Sequence, residues 1–221
     1  MFALFGAIAV AIILGAKWHE RRYTEAWQQA AAQLGLAYEG PGNDLLDRFG
    51  QFTTLQRGRR QEIRNAIVGV DDDDLEIILA DFRYTTGSGK NSRRHVETLC
   101  IVHHPAMALP TCFLRPQSLL FDALGRLFGG QDIDIPEDPA FSRAFVLQGH
   151  VPDAIVRLFS DSLRAWCVAQ RKNNLHFETQ RATFLFHRAR KIPPHEARDL
   201  LAQALQIRSL LPCGVSVPEN G

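Results

Sequence analysis

The sequence predicts an α+β fold, an N-terminal transmembrane helix followed by an antiparallel sheet meander with packed helices. Three observations carry that expectation. Phe2 to Ala16 holds no charged or strongly polar side chain, and Lys17-Trp18-His19-Glu20-Arg21-Arg22 follows at once. Between Phe49 and Arg115, runs rich in β-branched and aromatic residues alternate with turn chemistry. Helical spacing returns in blocks further along, and strands grouped in runs rather than alternating strictly with helices distinguish α+β from a doubly wound parallel sheet.

A helix over residues 1–16 rises about 24 Å at about 1.5 Å per residue, short of a hydrocarbon core about 30 Å thick. Lys17 lengthens the effective span by sending its ammonium outward along its own stem, and Trp18 suits the interface. Lys17, Trp18, Arg21 and Arg22 are therefore the expected membrane-interface residues. A cleaved secretory signal fits less well, because nothing basic precedes the apolar run except the chain terminus and Leu14-Gly15-Ala16 is a poor cleavage site. Lys17, Arg21 and Arg22 all lie on the C-terminal flank, which predicts a single-pass protein with its N-terminus outside and its body in the cytoplasm. The expected organisation is an anchor at 1–16, a juxtamembrane helix at 17–38, an α+β domain at 39–211 and a flexible tail at 212–221.

The juxtamembrane helix rests on Tyr23, Ala26, Trp27, Ala30, Ala31 and Leu34, which recur at three- and four-residue steps before Gly35 offers a stop. Strands are expected over 51–56, 62–70, 75–86, 93–103 and 111–115. Residues 116–128 return to helical spacing, with Leu120, Ala123, Leu124, Leu127 and Phe128 on one side before Gly129-Gly130. A short strand at 145–147 follows an acidic loop. Pro152 then opens a helix whose buried stripe is Ile155, Leu158, Phe159, Leu163 and Trp166. Strands at 176–179 and 183–187 precede a last helix that starts near Pro193-Pro194 and buries Ala197, Leu200, Leu201, Ala204, Leu205 and Leu211.

With 25 basic and 24 acidic residues the net charge is only +1, without the global field of a nucleic-acid binder. No nucleic-acid partner is expected. Cys100, Cys112, Cys167 and Cys213 are scattered and read as small buried hydrophobes. Gly87-Ser88-Gly89-Lys90-Asn91-Ser92 resembles a phosphate-binding loop only superficially. Tyr84 stands where its first glycine belongs, Asn91 where its magnesium-binding hydroxyl belongs, and a β-rich run follows instead of a helix. It reads as a flexible hairpin tip from which Lys90, Arg93 and Arg94 project together toward an anionic lipid or a protein partner.

Asp71 to Asp74 reads as a solvated turn. Asp132, Asp134, Glu137 and Asp138 form an acidic loop without a matching ligand cluster, and His195-Glu196 lacks the second histidine of a zinc-protease helix. His103 and His104 are adjacent, so in a strand they face opposite sides. No catalytic residue, metal ligand or cofactor is assigned.

The succession Phe82-Arg83-Tyr84-Thr85-Thr86-Gly87-Ser88-Gly89-Lys90, Leu114-Arg115-Pro116, Asp132-Ile133-Asp134 and Pro139-Ala140-Phe141-Ser142 resembles uncharacterised bacterial proteins with an N-terminal membrane helix and a domain of unknown function. The resemblance implies bacterial origin, hence an inner-membrane location, and supplies no catalytic residue. The function expected is an interaction or scaffolding module held by membrane lipid through its first helix. Two alternatives stand beside it: a membrane-associated hydrolase using His103 or His104 with carboxylates gathered by folding, and a module for anionic lipid headgroups.

Overall fold

The computed structural model describes the backbone of residues 2–117 and 131–212, and side chains from residue 14 onward. Helix α1 (Phe2–Leu34) leads into β1 (Ala37–Gly40), α2 (Asp44–Phe49) and a 3-10 turn over Thr53–Gln56. Three long strands follow, β2 (Arg59–Val70), β3 (Glu76–Thr86) and β4 (Arg93–His103), then β5 (Leu109–Pro116) and β6 (Gln131–Asp132). The remainder comprises α3 (Pro139–Ala144), β7 (Phe145–Gly149), α4 (Pro152–Leu158), α5 (Asp161–Ala169), β8 (His176–Arg181), β9 (Thr183–His187) and α6 (Ala197–Leu210).

The strands form one nine-stranded sheet in the order β1-β2-β3-β4-β9-β8-β5-β7-β6. Every neighbouring pair is antiparallel. The β8–β9 hairpin sits between β4 and β5, so the expected meander holds for β2-β3-β4 and then gives way to a late insertion.

Side chains alternate across each strand, giving the sheet two buried faces. On one face Ile67, Ile77, Leu79, Cys100, Leu114 and Phe186 join Trp27, Ala30 and Ala31 of α1 and Leu200, Ala204 and Ile207 of α6 in a single core. On the other, Ile63, Ile78, Phe82, Leu99 and Leu185 pack under Leu45 and Phe49 of α2 and Phe52 and Leu55 beside the 3-10 turn. Strands buried on both sides read as nearly continuous apolar runs, which is why β3 and β4 lack strict alternation.

Gly35 ends α1 as expected. Its φ is +70, and the Leu36 N–H donates to Ala31 O at 2.9 Å while the Gly35 N–H reaches Ala32 O at 3.4 Å, the double closure that a left-handed residue permits. At the tip between β3 and β4, Gly87 has a φ of +71, and a Cβ there would stand 2.3 Å from Asn91 O. Glycine is required at that turn.

The transmembrane expectation is corrected. Phe2–Leu34 is one unbroken helix of 33 residues, and among the described residues no helix is long and apolar enough to cross a membrane. From Leu14, where described side chains begin, α1 soon meets Lys17, Glu20, Arg21 and Arg22, a charge density that hydrocarbon does not tolerate. Single-pass inner-membrane topology, with the N-terminus outside and the domain in the cytoplasm, is therefore not supported. Leu14 and Trp18 are 61% and 60% exposed.

Three smaller expectations also change. Residues 51–56 are not a strand, because Phe52 and Leu55 turn down onto the sheet from a 3-10 turn. The single helix from Pro152 is two helices, divided where the Ser160 hydroxyl accepts the Leu163 N–H and caps α5. Leu205 is exposed, its place in the core taken by Ile207. The expected helix over 116–128 and the tail over 212–221 lie almost wholly outside the described residues.

Candidate functional site

Lys90, Arg93 and Arg94 are all exposed at the β3–β4 tip, where Gly89–Asn91 makes one 3-10 turn. Arg94 leans back along the sheet to within 3.7 Å of Glu62. Lys17, Trp18, Arg21 and Arg22 line the exposed part of α1, with the Arg22 guanidinium 5.0 Å from the centroid of the Trp18 ring. Arg22 thus shields one side of the indole by a cation–π contact.

His103 and His104 are held separately. His103 Nδ1 lies 2.9 Å from the Thr183 hydroxyl, and His104 Nδ1 accepts the Ala106 N–H at 3.0 Å. Opposite His103 in the register stands Glu76, whose carboxylate is engaged by Arg48. In the acidic loop, Asp132 accepts from Gln148 at 2.8 Å, and Asp138 caps α3 while pairing with Arg164 at 3.0 Å.

Folding assembles two buried polar groups that are not apparent in the sequence. On the α2 face, Arg57 Nη1 donates to both oxygens of Glu97, at 3.0 and 2.8 Å, and the Tyr84 hydroxyl donates to the same carboxylate at 2.8 Å. His187 stands beside them: its Nδ1 is 3.1 Å from Glu97 Oε2 and 3.0 Å from the Ala189 N–H, and its Nε2 is 3.2 Å from Arg57 Nη2. Burial alone would push the Glu97 carboxyl upward, but His187, Arg57 and Tyr84 outweigh it and hold the group well below the usual carboxylate range. Burial pushes the His187 imidazole down, against the pull of Glu97.

His176 stacks on His187 with ring centroids 4.6 Å apart, and burial lowers its pKa to about 2. Next to it, Glu178 accepts the Thr53 N–H at 2.5 Å and the Thr54 N–H at 3.1 Å. These are the first donors of the 3-10 turn, which a helix start leaves unsatisfied. The whole cluster fastens residues 50–58 to β4, β8 and β9, and its members are buried.

The second group lies on the α1 face. Asp81 is fully buried and accepts from Asn65 Nδ2 at 3.0 Å and from the Thr98 hydroxyl at 2.8 Å. Asn65 adopts a φ of 51 at the point where the β2 register shifts against β3, a bulge that turns its amide under α1. There its Oδ1 accepts from Thr24 at 3.3 Å and Tyr38 at 3.2 Å. Burial raises the Asp81 pKa against these donors.

Above Asp81 opens a cavity of about 220 Å³ bounded by Glu20, Thr24, Tyr38, Arg64, Asn65 and Arg83. Arg83 also lines a second one of about 450 Å³ with Asn43, Arg60, Glu62 and Arg94. Of the residues singled out from the sequence, Arg94 alone reaches this cleft among its described lining residues.

Fold and site together define an α+β domain on a nine-stranded antiparallel sheet, with buried carboxylates held by Arg57, by backbone N–H groups and by neutral side chains, and with four arginines lining an open cleft. No family model matches the chain, and no curated protein does. A solved structure does: the mycobacterial trehalose monomycolate transport factor A, TtfA, with 15% identity and a TM-score of 0.59, covering 90% of this chain and 99% of that one. At that identity the likeness is one of fold.

Proposed function

We propose that this chain is an interaction or scaffolding module with no chemistry of its own, serving as an accessory factor in a larger assembly. One observation carries the reading: Glu97, Arg57, His187 and Glu178, titratable groups that folding gathers in the core, are buried and spent on one another and on the backbone of residues 53 and 54. A catalytic constellation needs a reacting atom within hydrogen-bond reach, and here the protein itself fills those positions. Surface features support contact instead, because Leu14 and Trp18 stand exposed on the same helix and large exposed apolar side chains close together favour a partner. The structural neighbour is a transport factor by its title, and an accessory role in transport is compatible with the reading.

The test is crosslinking of the full chain in its source cells, followed by mass spectrometry and repeated with Trp18→Ala. A specific protein crosslinked to α1 and lost in the variant is the expected result. Crosslinks spread over abundant proteins and unchanged by the substitution would reject the reading.

A further inference from the structure

We infer that the cleft centred on Arg83 binds a phosphate-bearing anion, a role independent of the scaffold reading above. Four guanidiniums, from Arg60, Arg64, Arg83 and Arg94, line the two adjoining cavities, against the carboxylates of Glu20 and Glu62. The carboxylates are shared: Glu20 lies 3.3 Å from Arg83 and 3.7 Å from Arg64, while Glu62 lies 2.6 Å from Arg64 and 3.7 Å from Arg94. Four guanidiniums against two carboxylates leave positive charge in excess, and two of the ion pairs, at 3.7 Å, are too long for direct hydrogen bonds.

Arg83 marks the centre. It belongs to both cavities, its side chain is only 12% exposed, and its Nε is buried with no hydrogen-bond partner among the described residues. The Nη1 group, held by Glu20 at 3.3 Å, is the donor that a phosphate would take over, and the planar guanidinium fork matches phosphate geometry. Asn43 adds to the wall; its Oδ1 is taken by the Ile63 N–H at 3.0 Å, which leaves its amide N–H groups to offer. A phosphate entering here would displace the weakly held Glu20, whose side chain is 51% exposed and free to swing into water.

A free phosphate compound and a phospholipid headgroup present the same group, and the experiment separates them. The full chain is titrated with inorganic phosphate by calorimetry at low salt, and sedimented with phosphatidylglycerol or phosphatidylcholine vesicles. Saturable phosphate binding is expected, weakened about tenfold or more by Arg83→Gln, the effect of losing one charge-assisted hydrogen bond. Arg94→Gln weakens it less, and Lys172→Gln, at an exposed site outside the cleft, leaves it unchanged. Vesicle binding that needs phosphatidylglycerol, is competed by phosphate and is lost in Arg83→Gln assigns the headgroup. Phosphate binding without vesicle binding assigns a free anion. Absence of both overturns the inference, as does wild-type affinity in folded Arg83→Gln. Should Arg83→Gln not fold, the exposed Arg94→Gln decides: unchanged affinity there overturns it equally.

Discussion

Asp81 and Glu97 lie on adjacent strands, one register position apart and on opposite faces of the sheet, yet their environments drive them in opposite directions. Glu97 has a formal partner, Arg57, and is held ionised. Asp81 accepts hydrogen bonds from neutral donors, Asn65 and Thr98, and burial raises its pKa. Depth of burial is similar, so the basic neighbours of Glu97, His187 and Arg57, are what separate them. One carboxylate is a clasp that depends on its charge, and the other is an acceptor that carries its charge at a cost.

The largest break in that comparison is Arg57→Ala. It strands the Glu97 carboxylate in the core and should destabilise the fold by about 3–5 kcal/mol, read as a fall in the urea midpoint. A loss near zero would show that Glu97 is held by its other partners. Glu178→Ala comes next. Removing the acceptor for Thr53 and Thr54 leaves two buried N–H groups unpaired, at about 1–3 kcal/mol, and those amides should lose hydrogen-exchange protection before the strands do.

Acidification divides the pair by sign. Glu97 has a folded pKa below its ordinary 4.5, so its stabilisation is complete above that value and is lost as pH falls through the folded pKa. Asp81 is raised above its ordinary 3.8, so its cost is present at neutral pH and vanishes as pH falls through the folded pKa toward 3.8. The deficit of Glu97→Gln relative to wild type should therefore begin to shrink only below about pH 4.5 and go on shrinking into strong acid, whereas any advantage of Asp81→Asn should already shrink as pH falls toward 3.8. Denaturant curves of both variants across the acid range check this, and parallel curves would remove the distinction. The smallest effect is Asp81→Asn itself at neutral pH. It should raise the melting temperature slightly, by the equivalent of about 1 kcal/mol or less, because an amide avoids the charge cost but cannot accept from both present donors.

The same contrast shows what the sequence reveals. The β3–β4 hairpin was legible because Gly87-Ser88-Gly89 marks its turn and the flanking runs are dense in β-branched residues. Thr53–Gln56 resembles a strand for that very reason: two threonines beside Phe52 have strand composition, whereas the Glu178 carboxylate that takes the first N–H groups of the 3-10 turn lies far along the chain. The break at Ser160 was hidden by an apolar stripe that continues through it. Glu97 and Arg57 are 40 residues apart, and His187 is 130 from Arg57. No spacing rule joins such positions, since register and a late strand insertion bring them together. The cleft was half visible: Arg94 was singled out for its charge, but Arg83 sat inside a strand where charge reads as solvent exposure.

The placement of β8 and β9 has a consequence for biosynthesis. Because this hairpin fills the gap between β4 and β5, a ribosome that has released only the residues up to α5 has produced two separate half-sheets, each with a raw border where the wedge belongs. Nascent protein must shelter those borders until its final fifth emerges, for an uncovered strand edge recruits other chains. A stop codon just before His176 would therefore yield insoluble product.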